Sequence, residues 1–325
     1  MKSDSLSVSE TAWNLGLAAI FLGLLVAATM LHLAEPRRTV GMALAYIFVD
    51  ISPILLISLI EHCTPPAGPR KSSKRWLLHL QLLFANYASF APFSILGAAA
   101  ASFLVAHFGL NLGLIDLRIA TKGQTGFLVI ALFAGVLVAD FFFYWYHRAC
   151  HRSNILWQHH KMHHMDPAFD ALTGPRQNWI ETFFITICST IPIAILFKLD
   201  NLDPLKLGLI NGSLIGVLRG IILLNHSNLR LQYGWASVLC TSSQTHRIHH
   251  SYLPQHLDKN FVAFFPIWDI VFGTYYHPAR NEFPPTGVPG EKDIESVWEV
   301  QIYALREWYR MYRERRASKE LANQR

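Results

Sequence analysis

The sequence predicts an all-α protein: a multi-pass transmembrane helical chain that carries a histidine-rich di-metal cap on its cytoplasmic side. Three observations predict it. Of the 325 residues, 52% are hydrophobic and only 15% are charged, against about 25% charged in a typical soluble domain. Apolar runs long enough to cross a bilayer recur along the first two thirds of the chain. Twelve of the 16 histidines crowd between positions 147 and 277, several of them at helical spacing.

The apolar runs come first. They cover about 13–34, 40–60, 76–107, 124–146, 182–198 and 205–224. A helix needs about 20 apolar residues to cross ~30 Å of hydrocarbon. The first, second and fourth runs meet that length. The third has room for one tilted span or a tight re-entrant pair. The last two are near the lower limit, and Pro192 and the series Gly208, Gly212, Gly216, Gly220 thin them. Glycine at every fourth position puts a small face on one side of a helix, which favours close packing. The run at 13–34 is too long for a signal-peptide core and is followed by further runs, so it is expected to be retained.

Charge sets the expected orientation. The formal charge of +6 would raise nucleic acid as a partner in a soluble protein; here the basic residues flank apolar runs, and no nucleic acid is expected. Arg70, Lys71, Lys74 and Arg75 form the densest short basic loop, which places that loop in the cytoplasm. With one crossing per run, segment 147–180 and everything after about 225 fall on the same side. The four cysteines (Cys63, Cys150, Cys188, Cys240) are scattered without a CxxC pair and read as reduced packing residues. The expected division is 1–123, N-terminal spans; 124–290, the catalytic region; and 291–325, a charged, Trp- and Arg-bearing helix on the membrane surface or in solvent. The C-terminal residues carry no KDEL-type or dilysine retrieval signal, which leans towards a bacterial inner membrane over the endoplasmic reticulum.

The histidines fall into three sets: His147 and His151; His160, His163 and His164; His246, His249 and His250. Spacings of three and four put side chains on one helix face. Two imidazoles at HxxxH can grip one ion, and HxxHH can serve two. The first set follows the run 124–146 with no break signal, so that helix should continue out of the membrane and carry both residues on its protruding end. Eight imidazoles are too many for one ion and about right for two. Imidazole suits zinc, copper, iron and nickel. His32, His62, His79 and His107, and also His159 and His256, read as ordinary polar residues. A zinc hydrolase would need a catalytic Glu beside its ligands, as in HExxH; Arg148 and Lys161 occupy those slots. A metal transporter would place its ligands inside the spans, whereas these lie at span ends.

Several ordered motifs carry a resemblance. The stretch from Asp140 through Tyr144, Trp145, His147 and Arg148 to His151 resembles the D-F-x-x-Y-W-x-H-R-x-x-H segment of the fatty acid hydroxylase/sterol desaturase superfamily. Leu156-Trp157 with His160, His163 and His164 resembles its second box, and His246, His249 and His250 its last. Asp258-Lys-Asn260-Phe and Trp268-Asp269-Ile-Val-Phe-Gly-Thr274 are similar to its downstream D-x-N and W-D-x-x-F-G-T segments. The likeness covers about 135–290. It implies a di-iron, O2-dependent membrane enzyme that hydroxylates or desaturates a lipid: a sterol, fatty acyl, sphingoid, ether or ornithine lipid. It implies a ninth ligand at His226, in a His-Ser-Asn stretch, while Ile222 stands where some members have a further histidine. Asn178 stands where the family's R-x-H-x-x-E has a histidine, so that position is not counted as a ligand; His277 is read as a pocket residue. Asp140, Asp258, Asn260 and Asp269 are candidates to support the ligands, the carboxylates by accepting the outer N–H of an imidazole or else by capping turns. The chain shows no GxGxxG fingerprint and no cytochrome b5 segment. Electrons would therefore come from a separate ferredoxin, cytochrome b5 or reductase, or from a reduced pterin.

Overall fold

A computed structural model describes residues 53–116, 125–198, 218 and 220–322. The runs at 13–34 and 40–52, most of 205–224 with its glycine series up to Gly216, and His32 lie outside the described residues.

The described chain is helical, as its composition demands. Helix α1 covers Pro53–Cys63. Helix α2 is Ser73–His107, started by Ser72, whose hydroxyl accepts from the Arg75 N–H. It is one continuous helix of 35 residues, which decides the third run in favour of a single element over a re-entrant pair. Helix α3 is Thr125–Arg152, so the fourth run does continue without a break through His147 and His151. Ser153 ends it and caps the next helix, α4, Asn154–His164, accepting from Leu156 N–H. Helix α5 is Trp179–Leu196 with Pro192 inside it. Helical residues 220–225 (α6) precede three more helices: α7, Ser243–His249; α8, Ile267–Val271; and α9, Val297–Ala322. The strands among the described residues are a two-residue parallel pair, β1 (Ile115–Asp116) against β2 (Phe197–Lys198), which ties the far ends of α2 and α5 together. Val129–Arg152 and Trp179–Leu196 are long and apolar enough to cross a membrane.

Helices α2 and α5 run in parallel. Phe93 stacks on Trp179, and a Cβ at Gly97 would meet the Phe183 carbonyl at 2.8 Å, so glycine is what lets the two backbones approach. Helix α3 runs the other way: Tyr146, near its end, stacks on Phe184, near the start of α5. All three helices therefore present one end, the start of α2 and α5 and the end of α3, to the histidine-bearing region.

The basic loop before α2 joins that same end. Lys71 is buried, with its ammonium 2.9 Å from Asp166 and also paired with Asp170, and it donates to the Ala168 carbonyl at 2.7 Å. The Ala67 N–H donates to the Asn228 carbonyl. Arg75 and Arg176 both reach Asp293. Lys71 is thus a neutralised structural cation as well as a member of the basic loop. Helix α9 buries Val300, Tyr303 and Ala304 with Leu78, Leu82, Met162 and Met165. Part of the apolar face of its first half is therefore spent inside the protein, while Trp298 and Leu305 stay exposed.

Replacing Lys71 by Met should strand Asp166 as a buried, under-compensated charge, a change that typically costs about 3–5 kcal/mol. Thermal unfolding of the detergent-solubilised variant is expected to shift down by several degrees; an unshifted midpoint would mean that the network contributes nothing to stability.

Candidate metal centre

Each histidine set begins as local helix geometry. Helix α3 carries His147 and His151 one turn apart. Helix α4 buries His160, His163 and His164 on its inner side. Helix α7 opens with a capping box, Ser242 with Thr245, and brings His246 and His249, with His250 at its C-cap. His226 follows the last turn of α6, its N–H bonded to the Ile222 carbonyl. All nine predicted ligands converge.

They separate into two groups. His147, His151, His160, His164 and His249 place one ligand atom each within 4.8 Å of one another; His163, His226, His246 and His250 do the same. The two HxxHH boxes exchange members. In the second box the i,i+4 pair (His160, His164) enters the five-membered group and His163 the other. In the last box the i,i+4 pair (His246, His250) enters the four-membered group and His249 the other. The rings of His164 and His250, one from each group, stack at 4.2 Å.

The facing atoms are imidazole Nε2. His147 Nε2 lies 2.9 Å from His160 Nε2, and His164 Nε2 3.0 Å from His160 Nε2. In the second group the corresponding separations are 3.1 Å (His226–His163), 2.9 Å (His246–His226) and 3.2 Å (His250–His246). Nitrogens at right angles around one ion at ~2.1 Å would be about 3.0 Å apart. The Nε2 atoms of His151 and His249 are buried with no hydrogen-bond partner.

The outer nitrogens explain why lone pairs face each other. His147 Nδ1 donates to the Phe261 carbonyl at 2.5 Å, His249 Nδ1 to the Lys259 carbonyl at 2.9 Å, and His226 Nδ1 to the Ile222 carbonyl at 2.9 Å. His160 Nδ1 donates to Glu181 Oε1 at 2.6 Å. A neutral imidazole that donates through Nδ1 has only a lone pair left at Nε2, so these rings direct acceptors inward. Burial, reinforced by neighbouring imidazoles, holds His163, His164, His246 and His250 well below the ordinary histidine range. Burial pushes His226 down to about 4 and His249 to about 3. Buried and converging, the nine nitrogens form a donor set that fits cations and little else.

Glu181 is the supporting carboxylate that sequence spacing missed. It lies in the first turn of α5, whose N-cap is Asn178: the Asn178 amide oxygen accepts from Glu181 N–H, and its amide donates to the His159 carbonyl. Only its place after the second box, in Arg176-Gln-Asn-Trp-Ile-Glu181, could have marked it.

None of the four predicted supporting residues bonds an imidazole: Asp140, Asp269 and Asn260 hold backbone, and Asp258 pairs with a side chain. Asp140 accepts from the N–H groups of Ala263 (3.0 Å) and Phe265 (2.8 Å). Asp269 accepts from Phe261 and Val262 N–H and from the Thr274 hydroxyl. Asn260 clamps Tyr276 N–H and the Thr245 and Tyr276 carbonyls. Asp258 pairs with Arg152 at 3.2 Å on a half-exposed edge. Asp258 and Asn260 have φ of 60° and 56°, a left-handed region that Asp and Asn tolerate better than most residues. That double turn delivers the Lys259 and Phe261 carbonyls to His249 and His147.

His159 stays outside both groups, stacked on Tyr146, and His256 is held by Ser251 and Glu282. His79 bonds the Leu172 carbonyl. His277 sits beside Ser237 and Tyr275, away from the cluster. A cavity of about 470 Å³ opens against the centre. Five of the nine histidines line it, and Phe143, Ile54, Leu83, Ile185 and Leu223 give it apolar walls.

Truncating Glu181 to Ala should free His160 to rotate and weaken metal retention about 10–100-fold, with Glu181→Gln intermediate. Competition against a chelator, with circular dichroism to show intact helices, measures it; equal retention in all three proteins would deny Glu181 this orienting role.

Residues 132–274 match the family model described as fatty acid hydroxylase. The chain is 28% identical over 157 residues to an ornithine lipid hydroxylase of Rhizobium tropici, covering 48% of this chain and 45% of that protein. It is 29% identical over 140 residues to the alkylglycerol monooxygenase of Danio rerio, covering 43% of this chain and 29% of that one. It is 28% identical over 174 residues to the alkylglycerol monooxygenase of Homo sapiens, covering 53% of this chain and 36% of that one. The chain thus spans less than half the length of each of these curated relatives. No solved structure matches it significantly. The matched stretch contains all nine converging histidines, so the similarity to the fatty acid hydroxylase family lies in the domain that carries the candidate metal centre.

Proposed function

We propose that the chain is a multi-pass membrane monooxygenase that holds two iron ions, one in each histidine group, and uses O2 to hydroxylate a C–H bond of a membrane lipid. The observation that carries the reading is the pairing of two adjoining all-nitrogen groups with an apolar-walled cavity of about 470 Å³.

Iron with O2 would supply the oxidising power that no side chain has, since an unactivated C–H bond offers no proton that a carboxylate or imidazole can remove. The chain's own residues do the rest. The Phe261 and Lys259 carbonyls and Glu181 fix the rings of His147, His249 and His160. Phe143, Ile185, Ile222 and Leu223 give an acyl or alkyl chain a dry path to the histidine end of the cavity. Electrons come from a separate ferredoxin, cytochrome b5 or reductase, or from a reduced pterin. The names of the relatives favour an ornithine lipid or an ether lipid as substrate. Helices α2, α3 and α5, traversing in alternate directions, support a topology in which the centre sits at one membrane face. The basic loop bonded to that same end supports the cytoplasmic face.

A zinc hydrolase is disfavoured by the same geometry. Lys161 is paired with Glu291, and Arg148 donates to the Tyr144 hydroxyl. Glu181 binds the outer nitrogen of His160, on the far side of the ring from the converging lone pairs.

The test compares the intact chain with His163→Ala in one host, by mass spectrometry of lipid extracts under labelled O2. A lipid heavier by one labelled oxygen, made by the intact chain alone, is the expected result. An unlabelled lipid lacking two hydrogens would turn the reading to desaturation at the same centre. Purified protein that holds zinc or no metal, with no lipid altered, would overturn it.

A further inference from the structure

The segment 264–272, which includes α8, does not sit beyond the end of α3 but beside its middle. The Phe265 ring meets Phe133 edge-on at 5.2 Å. The Trp268 indole N–H donates to the Leu137 carbonyl at 3.1 Å, and its ring contacts Phe141 at 4.9 Å. Phe272 packs on Tyr144 and Trp145 at 5.3 and 4.9 Å. The segment thus follows α3 from Phe133 to Trp145, about 18 Å at 1.5 Å per residue. The spanning part of α3, Val129–Arg152, is 24 residues long. Any stretch of about 20 residues chosen from it to cross the hydrocarbon contains 133–145. The segment exposes Ile267, Ile270 and Val271, and α3 beside it exposes Ile130, Phe133 and Trp145.

From this geometry we infer that segment 264–272 is embedded in the bilayer alongside α3, with Ile267, Ile270 and Val271 against lipid acyl chains. The inference rests on α3 spanning the membrane. Its second support is the hydrogen bonding of the irregular backbone that leads into α8. At membrane depth no water is at hand, so non-helical backbone must find its partners within the protein. Here it does. Asp269 takes the N–H groups of Phe261 and Val262, and Asp140 takes those of Ala263 and Phe265. Thr241 N–H donates to the Phe264 carbonyl, and its hydroxyl to the Ala263 carbonyl. The two carboxylates lie on the protein side of the segment, 2% and 0% exposed, while its lipid side carries only hydrocarbon. The Trp268 indole, whose N–H also needs a partner in such a place, has the Leu137 carbonyl.

The test is photolabelling of the full chain in phosphatidylcholine–phosphatidylglycerol vesicles, with peptide mass spectrometry as readout. One sample carries a phospholipid with a diazirine in its acyl chain, the other a water-soluble diazirine. Peptides from 264–273 are expected to take the acyl-chain label to within about twofold of those from 127–139, and about tenfold above the polar stretch 277–292. Labelling of 264–273 from water alone, with 127–139 still labelled from lipid, would overturn the inference and leave the span intact. Absence of acyl-chain label from 127–139 as well would overturn both.

Discussion

Nine imidazoles converging in two adjoining groups are the constraint around which the rest of this molecule is arranged. Where both rings donate through Nδ1, as in His147 and His160, Nε2 atoms 2.9 Å apart present lone pairs to each other and repel. The protein commits to that arrangement by fixing the other side of the rings. His147, His160, His226 and His249 each send the Nδ1 proton outward to an acceptor that cannot move away: a backbone carbonyl or the buried Glu181. Close approach matters as well. A Cβ at Gly174 would stand 3.2 Å from His226 Nδ1, so a side chain there would press on the outer face of that ring.

The irregular segments between the helices have a definite task under that constraint. The stretch 258–265 looks like a loop, yet its N–H groups are taken by Asp140 and Asp269 and its carbonyls by His249 and His147. It transmits position from α3 and α8 to rings on α3 and α7. Buried carboxylates cost free energy when unpaired. Here their oxygens are occupied by backbone donors, which is why acidic residues can sit against apolar helices. Lys71, Asp166 and Asp170 do similar work at the other edge of the cap, fastening the loop before α2 behind Phe169, whose ring lies 4.7 Å from that of His250.

Much of the centre was legible from spacing. Histidines three and four apart share a helix face, and all three sets prove to be helical. The unbroken apolar run before His147 predicted that α3 would deliver its histidines on a protruding end, and Thr125–Arg152 is one helix. The count of imidazoles pointed to two ions, and the nine named residues form two groups. Less legible were the residues that work through others. Glu181 is 21 positions from His160, and Asp140 is more than a hundred from the N–H groups it holds. No periodicity connects such pairs. Asp140 and Asp269 were marked by their motifs, but a motif does not say whether a carboxylate meets an imidazole or a peptide N–H.

What the sequence determined by itself, then, is everything set by local period and composition: helical class, the apolar runs, and which imidazoles share a turn. Those properties depend on neighbours within four residues, and neighbours within four residues are written in order along the chain. The tertiary structure alone decided the division into five and four, with each HxxHH box giving its i,i+4 pair to one group and its middle member to the other. It also decided the reach of Glu181 and Lys71 and the descent of α8 along α3. Each depends on helices crossing at particular angles, and those angles follow from how many side chains pack at once.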